Sequence, residues 1–499
     1  MNGLSPLPDA EAMRTADAAA IAAGTPGTTL MERAGHALAD LAGRELPDGE
    51  LAVVCGKGNN GGDGYVAARV LRAAGRAVRV LATAPIDELD GDARLAAQAL
   101  TGEPPRAVVA GALDGAVGVV DCVLGTGSAG TPRSSAAEAI RLIAGAGLPV
   151  LACDVPSGVD ASTGEVADTD LVVRARATAT FAAAKPGLWI HPGKGCAGVV
   201  HVCDIGLPPP VEAAVSLVGP EVLGVLPARG RASSKFSGGH VLVVGGSRGL
   251  TGAVCLAATA AARAGAGYVT ALVPSSLEAI FEVKLTEVMT HRLPDHDGAL
   301  RVEAAQLAIA QAARHPGALV LGGGLGAAEG TRDMAVELAE ECPVALVLDA
   351  DGLNAFAGQA RWLRPRGAPT IITPHAGELA RLLGVERTVI ERERLAQARL
   401  AAAQTGAVVV LKGDDTLVVA PDGRVAVSPG GAPGLATAGT GDVLAGVCGA
   451  VLAAGVEPFA AAVAAVHLHL IAGRLAAAAA GSARAVIAGD VVAQLGHAG

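Results

Sequence analysis

Few aromatic residues, few charges and no cluster of basic residues are present in this sequence. The lack of a basic cluster excludes one class of partner. Charged residues make up 17% of the 499 residues and the net charge is −10. A nucleic-acid surface gains its affinity by neutralising phosphates with Lys and Arg, so we expect no nucleic-acid partner. The N-terminus MNGLSPLPDAEAMR lacks a basic segment followed by an apolar one, so we expect no secretory signal.

Paired cysteines and long apolar runs are also missing. The eight cysteines are scattered without a C-x-x-C pair, which argues against zinc ribbons and disulfide frameworks. The longest uncharged apolar runs, such as 458–473, are shorter than a membrane span, so we expect no membrane association. These features favour a cytoplasmic protein, which we also expect to be a homo-oligomer.

Apolar residues and glycine are abundant, and their arrangement predicts two α/β domains. Apolar residues make up 51% of a chain that is long for a single core. Short apolar runs alternate with Ala-rich helical stretches, which is typical of parallel sheets covered by helices on both faces. The alternation lapses around Pro208–Pro210 and then resumes, so we predict domains at 1–215 and 216–499.

Polar and glycine-rich clusters follow the predicted strands in both domains. In the first they are 56–64, 121–131 and 154–160, and in the second 245–249, 322–326, 375–378 and 412–416. Open parallel sheets bind ligands at the carboxyl ends of their strands. The sequence therefore predicts a separate site in each domain.

The first cluster has the spacing of a dinucleotide fingerprint without its confirming acid. Gly56, Gly58 and Gly61 satisfy G-x-G-x-x-G, but the next predicted strand ends in VRVLATAP, and the first acidic residue after it is Asp87. Asn59, Asn60 and Asp63 contribute oxygens where a pyrophosphate needs backbone donors. The stretch is therefore not the site of a working hydride carrier.

Two further loops of the first domain predict a cation beside an anion cradle. DCVLGTGSAGTPR and CDVPSGVDASTG contribute Asp121, Asp154 and Ser157, which converge with Asn60 if the strands are adjacent. These are hard oxygen ligands, while the backbone of 125–131 offers N–H groups to a phosphate. The alternative is that these residues only form turns, as Asn-Gly and Ser-Gly pairs commonly do.

In the second domain, PGLATAGTGDVLAG predicts phosphoryl transfer. Gly439, Thr440 and Gly441 precede Asp442 at the start of an Ala-rich helix, so backbone N–H groups and a carboxylate face one point. The amides would stabilise a transferring phosphoryl group while Asp442 accepts a hydroxyl proton. The alternative is an Asp that only caps the helix. No Walker sequence is present.

The first-domain segments MRTADAAAIAAGTPGTTLMERAG, GKGNNGGDGYVAARVL, DCVLGTGSAG, DVPSGVDASTG and TFAAAKPGLWIHPGKGCAG resemble, in this order, the epimerase domain of the NAD(P)H-hydrate repair family. The resemblance implies a Rossmann-like three-layer α/β/α fold that interconverts the R and S epimers of hydrated NADH and NADPH (NADHX and NADPHX). It implies a K+ ion on Asn60, Asp121 and Ser157, and we expect Asp154 to exchange a proton. The implied substrate contacts are Asn59, Asn60, Gly61, Gly62, Asp63, Gly125, Thr126, Gly127, Ser128, Ala129, Gly130, Thr131 and Asp154.

The second-domain segments VLGGGLG, VLDADGLN, TIITPHAGELARL, VVVLKGDDTLVV and the GTGD motif resemble the dehydratase domain of the same family. The resemblance implies a ribokinase-like α/β/α fold that dehydrates the S hydrate to NAD(P)H while ADP is converted to AMP and phosphate, with Mg2+ at the nucleotide. Ala253, Gly326, His375 and Asp442 are the implied substrate contacts. The implied nucleotide contacts are Lys412, Gly413, Asp414, Asp415, Thr416 and Gly441.

These observations predict a bifunctional repair enzyme, with two alternatives left open. One is a ribokinase-like small-molecule kinase fused to a non-catalytic nucleotide-binding module, and the other gives the first domain only a scaffold or sensor role. GGGLG and SSKFSGG depart from the family pattern in loops, without removing a chemical group. Lys185 in AAKPG is interpreted as structural, and His467 and His469 as packed or surface residues rather than ligands.

Overall fold

The computed structural model describes residues 1–231, 233–314, 316–364 and 366–499, and the chain divides into two compact units. One unit is Pro6–Ser216, and the other is Leu217–Gly499 together with Met1–Ser5. The first residues, which contain most of strand β1 (Leu4–Pro6), therefore cluster with the C-terminal unit. The predicted first domain, 1–215, places these first residues with the N-terminal unit instead.

The N-terminal unit is a seven-stranded sheet in the order β4-β3-β2-β5-β6-β7-β8, with every neighbouring pair parallel. Its strands are β2 (Leu51–Cys55), β3 (Val78–Ala82), β4 (Arg106–Ala107), β5 (Gly118–Cys122), β6 (Val150–Cys153), β7 (Ala177–Phe181) and β8 (Val199–Cys203). Its helices are α1 (Ala10–Ala22), α2 (Gly27–Glu45), α3 (Asn59–Ala73), α4 (Gly91–Gln98), α5 (Ser134–Gly145) and α6 (Lys194–Ala197).

The central strand β2 shows why this unit has three layers. All five of its residues are buried. Leu51, Val53 and Cys55 pack in one apolar cluster with residues of α2 and α3, whereas Ala52 and Val54 pack in another with residues of α5. Successive side chains of a strand point to opposite faces, so an uninterrupted apolar run requires helices on both sides. This is the predicted Rossmann-like fold.

The C-terminal unit contains an eleven-stranded sheet in the order β1-β9-β20-β19-β18-β17-β16-β15-β10-β11-β12 and a separate pair, β13 with β14. Its further strands are β9 (Val215–Val218), β10 (His240–Val244), β11 (Tyr268–Pro274), β12 (Met289–Leu293), β13 (Asp295–His296), β14 (Ala299–Leu300), β15 (Gly317–Leu321), β16 (Ala345–Leu348), β17 (Thr370–Ile372), β18 (Val408–Leu411), β19 (Leu417–Val419) and β20 (Val425–Val427).

The strands from β12 to β18 pair in parallel, and β18, β19 and β20 continue antiparallel, with the turn between the last two at the predicted Pro421-Asp422-Gly423. The helices are α7 (Thr251–Arg263), α8 (Glu278–Lys284), α9 (Glu303–Ala312), α10 (Thr331–Glu341), α11 (Ala350–Asn354), α12 (Ala376–Leu383), α13 (Arg387–Arg392), α14 (Arg394–Thr405), α15 (Thr440–Ala453), α16 (Pro458–Ala479) and α17 (Ala488–Ala498). This mixed α/β architecture agrees with the α/β fold predicted for the second domain.

Both sheets reverse their strand order at one point. In the N-terminal unit the chain runs outward from β2 and returns to β5 on its other side, and in the C-terminal unit β10 and β15 have the same relation. Ligands of open α/β sheets bind at such switch points, at the carboxyl ends of the strands. The loops singled out in the sequence begin at these strand ends.

A close helix contact fixes the start of α15. A Cβ built on Gly446 would lie 2.1 Å from the carbonyl oxygen of Ala257 in α7, so only glycine lets the two helices approach this closely. The contact holds the Thr440–Asp442 turn in place at the sheet edge.

Helix α16 is the one helix of the described ranges that is long and apolar enough to cross a membrane. It has 22 residues, so the expectation that this apolar run is too short for a membrane span is wrong on length. However, 78% of its apolar window is buried inside the protein, which is the placement of a core helix. His467 and His469 of this helix are both buried, and all eight cysteines are free.

Candidate active sites

The residues predicted to bind a cation converge in the N-terminal unit. The carboxylate of Asp121, at the end of β5, is fully buried and accepts hydrogen bonds from Ser157 Oγ (2.7 Å) and Ser157 N (2.9 Å). Asn60 Nδ2 donates to the carbonyl of Leu124 at 3.0 Å, and Ser157 Oγ lies 3.3 Å from the same carbonyl. The loops after β2, β5 and β6 thus bring a carboxylate, a hydroxyl, an amide and a backbone carbonyl together.

Asp121 lacks a cationic partner among the described residues. Burial raises the pKa of Asp121 to about 6, although hydrogen bonds from Ser157 and Val123 oppose the shift. A buried carboxylate with only neutral donors is costly to ionise. The site is therefore chemically suited to a small cation.

Asp154 forms an ion pair with a buried lysine. Lys185 Nζ lies 2.5 Å from Asp154 Oδ1 and also donates to Thr180 Oγ1 (2.9 Å) and to the carbonyl of Phe181 (3.0 Å). Thr126 Oγ1 donates to the other carboxylate oxygen. Burial alone would raise the pKa of Asp154, but the Lys185 charge and these hydrogen bonds outweigh it, so the pKa is lowered. Asp154 has a φ of +64°, which aims its side chain from the end of β6.

Two more carboxyl groups interact electrostatically with this pair. Burial raises the pKa of Asp63 well above its ordinary value, and the charges of Asp154 and Asp17 raise it further. The pKa of Asp17, on α1, is also raised by burial. One lysine thus faces three carboxyls, and the environment shifts the pKa of Asp154 down and that of Asp63 up.

Sequence reasoning missed Asp17 as a member of this cluster and undervalued Lys185. A lysine at the end of an apolar strand was a usable signal for Lys185, whereas nothing in the pattern of α1 distinguishes Asp17. The remaining predicted loop positions are more open: Gly127, Ala129, Gly130 and Thr131 are exposed, as is Asn59. A Cβ built on Gly61 would lie within about 3 Å of the Gly56 backbone, and one built on Gly62 would lie equally close to the Met31 side chain. Position 61, which faces backbone, therefore has room only for glycine.

The C-terminal site is built around Lys412, directly after β18. Lys412 Nζ lies 2.9 Å from Asp349 Oδ1 and 3.6 Å from Glu378 Oε2. Both carboxylates are buried. Burial would lower the pKa of Lys412, but Asp349 and Glu378 raise it more, so the net shift is upward. A Cβ on Gly441 would lie 3.4 Å from Lys412 Nζ, so the glycine turn of α15 faces this lysine.

Asp442 faces the glycine loop that follows β15. A Cβ built on Gly323 would lie 2.6 Å from Asp442 Oδ1 and 3.3 Å from the Cβ of Ala253. Only glycine at position 323 therefore lets the carboxylate pack this closely against the loop. Burial and the charge of Asp349 raise the pKa of Asp442 to about 6, with Lys412 opposing.

The other predicted substrate contacts lie around the same edge. Gly326 N donates to Asp351 Oδ2 at 2.9 Å, which holds the loop after β15. His375 begins α12 in a capping box: its Nδ1 accepts from the N–H groups of Gly377 (3.0 Å) and Glu378 (3.3 Å). Burial lowers the pKa of His375. Its Nδ1 is therefore occupied by the helix N-terminus.

The segment Lys412–Thr416 does not present all its side chains to one ligand. Thr416 Oγ1 donates to the carbonyl of Gly413 at 2.6 Å, and Asp414 Oδ1 accepts from Gly431 N at 2.7 Å. Asp415 is 1% exposed and accepts from Arg394 Nε at 2.8 Å. The Asp415 side chain is taken up by this ion pair, so the prediction that 412–416 hold the nucleotide concerns the backbone of Asp415.

Asp349 and Glu378 were not singled out by sequence reasoning. Asp349 directly follows β16, and Glu378 lies in α12, so both were within quoted segments. Their position at strand ends was the available signal.

In the described ranges, no three His, Cys, Asp or Glu side chains are arranged to hold a metal ion.

Comparison with known proteins gives one result for each unit and one for the chain. Residues 241–493 match the family model described as NAD(P)H-hydrate dehydratase, and residues 27–187 match that of the YjeF-related protein N-terminus. The bifunctional NAD(P)H-hydrate repair enzyme of Moorella thermoacetica is 39% identical over 487 residues, covering 94% of this chain and 91% of that protein.

Two further similar proteins are a second repair enzyme and a solved structure. The bifunctional NAD(P)H-hydrate repair enzyme of Salinibacter ruber is 39% identical over 498 residues, covering 93% of this chain and 90% of that protein. The ADP/ATP-dependent NAD(P)H-hydrate dehydratase of Bacillus subtilis, co-crystallised with ATP and Mg2+, is 30% identical with a TM-score of 0.48, covering 56% of this chain and 94% of that one.

The buried position of Asp415 predicts a structural role that can be measured. Asp415→Asn leaves the Arg394 guanidinium buried without a counter-charge, and we expect a loss of about 3–5 kcal/mol in the free energy of unfolding. The matched control is Asp422→Asn, which removes the carboxylate of an exposed pair with Arg424 and should cost at most about 1 kcal/mol. Urea unfolding followed by circular dichroism measures both; equal costs would contradict the assignment.

Proposed function

The chain belongs to the family of bifunctional NAD(P)H-hydrate repair enzymes, and we propose that its N-terminal unit epimerises R and S NAD(P)HX while its C-terminal unit dehydrates the S epimer to NAD(P)H, converting ADP to AMP and phosphate. The observation that carries the proposal is the carboxylate of Asp442, which lies against Gly323 in the loop after β15 and directly follows the Gly439–Gly441 turn at the start of α15.

The dehydratase chemistry follows from the need for a better leaving group than hydroxide. Asp442 accepts the proton of the ring hydroxyl as the hydroxyl oxygen attacks the β-phosphorus of ADP and the bond to AMP breaks. Backbone N–H groups at the start of α15 stabilise the transferring phosphoryl charge. Phosphate then leaves with its bonding electrons, assisted by the ring nitrogen, and loss of a proton from the adjacent carbon restores the dihydronicotinamide.

The nucleotide is proposed to bind along Lys412, Gly413 and Gly441, with Lys412 beside its phosphates. Its two flanking carboxylates keep Lys412 protonated, which suits an ammonium that contacts phosphate oxygens. When bound, Mg2+ supplies charge neutralisation of the phosphates. Because Mg2+ commonly keeps water and phosphate ligands, one or two carboxylates such as Asp349 and Asp351 suffice at this site.

Removing the proposed base tests the dehydratase. Asp442→Asn should lower kcat for ADP-dependent dehydration of S-NADHX by about 10²–10⁴-fold, because general-base assistance is lost, while ADP affinity stays within a factor of about two. The regained absorbance of reduced nicotinamide measures the rate, and calorimetry measures ADP binding.

In the unmodified protein kcat/KM should fall about tenfold per pH unit below pH about 6, since only ionised Asp442 accepts the proton. Undiminished turnover by Asp442→Asn would contradict the role.

The epimerase chemistry uses two carboxyls whose pKa values are shifted in opposite directions. Protonated Asp63 gives its proton to the ring hydroxyl, which leaves as water while the ring nitrogen donates electrons to the ring carbon. Water then adds to the opposite face and gives a proton to a carboxylate, for which ionised Asp154 is available. Lys185 holds Asp154 in its ionised form. The family resemblance implies further substrate contacts from Asn59 to Asp63 and from Gly125 to Thr131.

Replacing the ionised carboxylate separates the two activities. Asp154→Asn should slow R-to-S interconversion by about 10²-fold or more, since Lys185 loses its partner and the proton acceptor is gone. Dehydration of pure S-NADHX with ADP should continue at the original rate and serves as the internal control for folding. Chromatography of the epimers measures interconversion. Undiminished interconversion by Asp154→Asn would contradict the role of Asp154 as the base. If the N-terminal unit were only a scaffold, the unmodified protein would not interconvert the epimers at all.

A K+ ion is proposed at Asn60, Asp121 and Ser157. Support comes from the fully buried Asp121 carboxylate, whose pKa burial raises to about 6, and from the Ser157 hydroxyl and the Leu124 carbonyl, to which Ser157 Oγ and Asn60 Nδ2 donate. A weakly hydrated monovalent cation fits neutral oxygen ligands around one carboxylate. When bound, the ion supplies the missing counter-charge and fixes the loops after β2, β5 and β6.

Ion exchange tests the proposed cation site without relying on activity. Replacing tetramethylammonium by K+ at about ten times its dissociation constant should stabilise the N-terminal unit by about 1.4 kcal/mol, or about 3–5 °C in its melting temperature. Differential scanning calorimetry measures the shift. Asp121→Asn should melt at the same temperature in both salts. A melting temperature of the unmodified protein that does not respond to K+ would contradict the site.

A further inference from the structure

A cleft of about 790 Å³ opens at the edge of the N-terminal sheet, where strands β3 and β4 end. Pro85, Ile86 and Ala107 contribute apolar walls, and Gln98 and Ser135 are among the polar groups that face it. Its volume is in the range of small-molecule pockets, which combine apolar walls with a few polar groups that fix orientation. Neither the cation site nor the carboxyl cluster uses this cleft.

Residues in or next to the wall of the cleft are linked to both loops proposed to bind the hydrate. Thr83, in its wall, donates its N–H to the carbonyl of Cys55 at 3.0 Å, directly before the 56–63 loop. Lys57 of that loop forms a 2.8 Å ion pair with Glu88, next to the cleft. On the other side, Ser135 belongs to the first turn of α5, which follows the 125–131 loop. A ligand on these loops can therefore extend into the cleft.

The spacing of the strands matches a dinucleotide. Asp154 follows β6, and β6, β5, β2 and β3 are neighbours, so the cleft lies three strand spacings away, roughly 14 Å. The two heterocycles of an extended dinucleotide are separated by two riboses and a pyrophosphate, a comparable length. In dinucleotide-binding sheets the end of the strand after the glycine loop is also where adenosine ribose is held.

The charge of the cleft favours a nucleoside over a phosphate. Arg94 and Arg106 are balanced by Asp87 and Glu138 in the same walls, so the cleft has no net charge. Arg106 is moreover paired with Glu103 at 2.6 Å. An anion would gain little here, whereas an uncharged base gains from the apolar walls and its polar edge from Gln98.

We propose that this cleft binds the adenosine half of the hydrate substrate while the hydrated ring lies at Asp154. The inference rests on the proposed epimerase activity. Binding energy from this remote half positions the ring at the reacting groups, so its loss lowers kcat/KM without altering the ring site itself.

A truncated substrate tests the inference. Ala107→Trp fills the cleft and should lower kcat/KM for interconversion of R- and S-NADHX by about tenfold. The same variant should retain the original kcat/KM with the hydrate of reduced nicotinamide mononucleotide, which has no adenosine. Assays without ADP keep the dehydratase idle, and chromatography separates the epimers.

Controls separate this inference from the function on which it rests. Val199→Trp, an exposed position at the amino end of β8, should change neither rate. Ser135→Trp enters the cleft from α5 and replaces Ala107→Trp if that variant does not fold, as judged by circular dichroism. Unchanged kcat/KM with NADHX, or equal losses with both substrates, would overturn the adenosine assignment. Failure of the unmodified protein to interconvert NADHX would overturn the proposed epimerase itself.

Discussion

A lysine paired with a carboxylate is the interaction on which each site depends. Lys185 pairs with Asp154 in the N-terminal unit, and Lys412 pairs with Asp349 in the C-terminal unit. In both, one carboxylate takes the lysine's charge and a neighbouring carboxyl, Asp63 or Asp442, is left with a raised pKa. A single cation among several buried acids cannot stabilise all of them in ionised form. Burial and the neighbouring carboxylates, only partly offset by one lysine, therefore create the titrating group that acid–base chemistry needs.

Parallel topology explains why residues distant in sequence form these clusters. Asn60, Asp121 and Ser157 follow three different strands, yet β2, β5 and β6 are neighbours, so their carboxyl ends meet. Lys412, Asp349 and Asp442 are related in the same way through β18, β16 and the start of α15. Glycine supplies the remaining condition, because a side chain at 323 would occupy the space before Asp442. Strand order selects the partners, and the glycines let the loops approach their side chains closely.

Much of this arrangement could be predicted from the sequence, and the failures have physical causes. Alternating apolar runs predicted both parallel sheets, and the Gly-rich strand ends predicted where the polar side chains collect. The direction of a side chain was not available: Asp414 and Asp415 are neighbours, yet Asp415 points into the core at Arg394. Asp17 joins the carboxyl cluster from a helix whose sequence pattern carries no sign of it. The length of α16 was misjudged because Arg474 ends the uncharged run but not the helix.

Each proposed set of reacting groups is complete within one unit, and this has a consequence for how the reactions combine. Asp63, Asp154 and Lys185 all belong to Pro6–Ser216, whereas Lys412 and Asp442 belong to the other unit. Epimerisation makes and breaks the same bond on two faces of one ring, so it has little driving force in either direction. Cleavage of ADP does have one, and it consumes only the S epimer. The direction of repair is therefore set by the dehydratase, and the epimerase needs only to exchange the two epimers faster than the S form is removed.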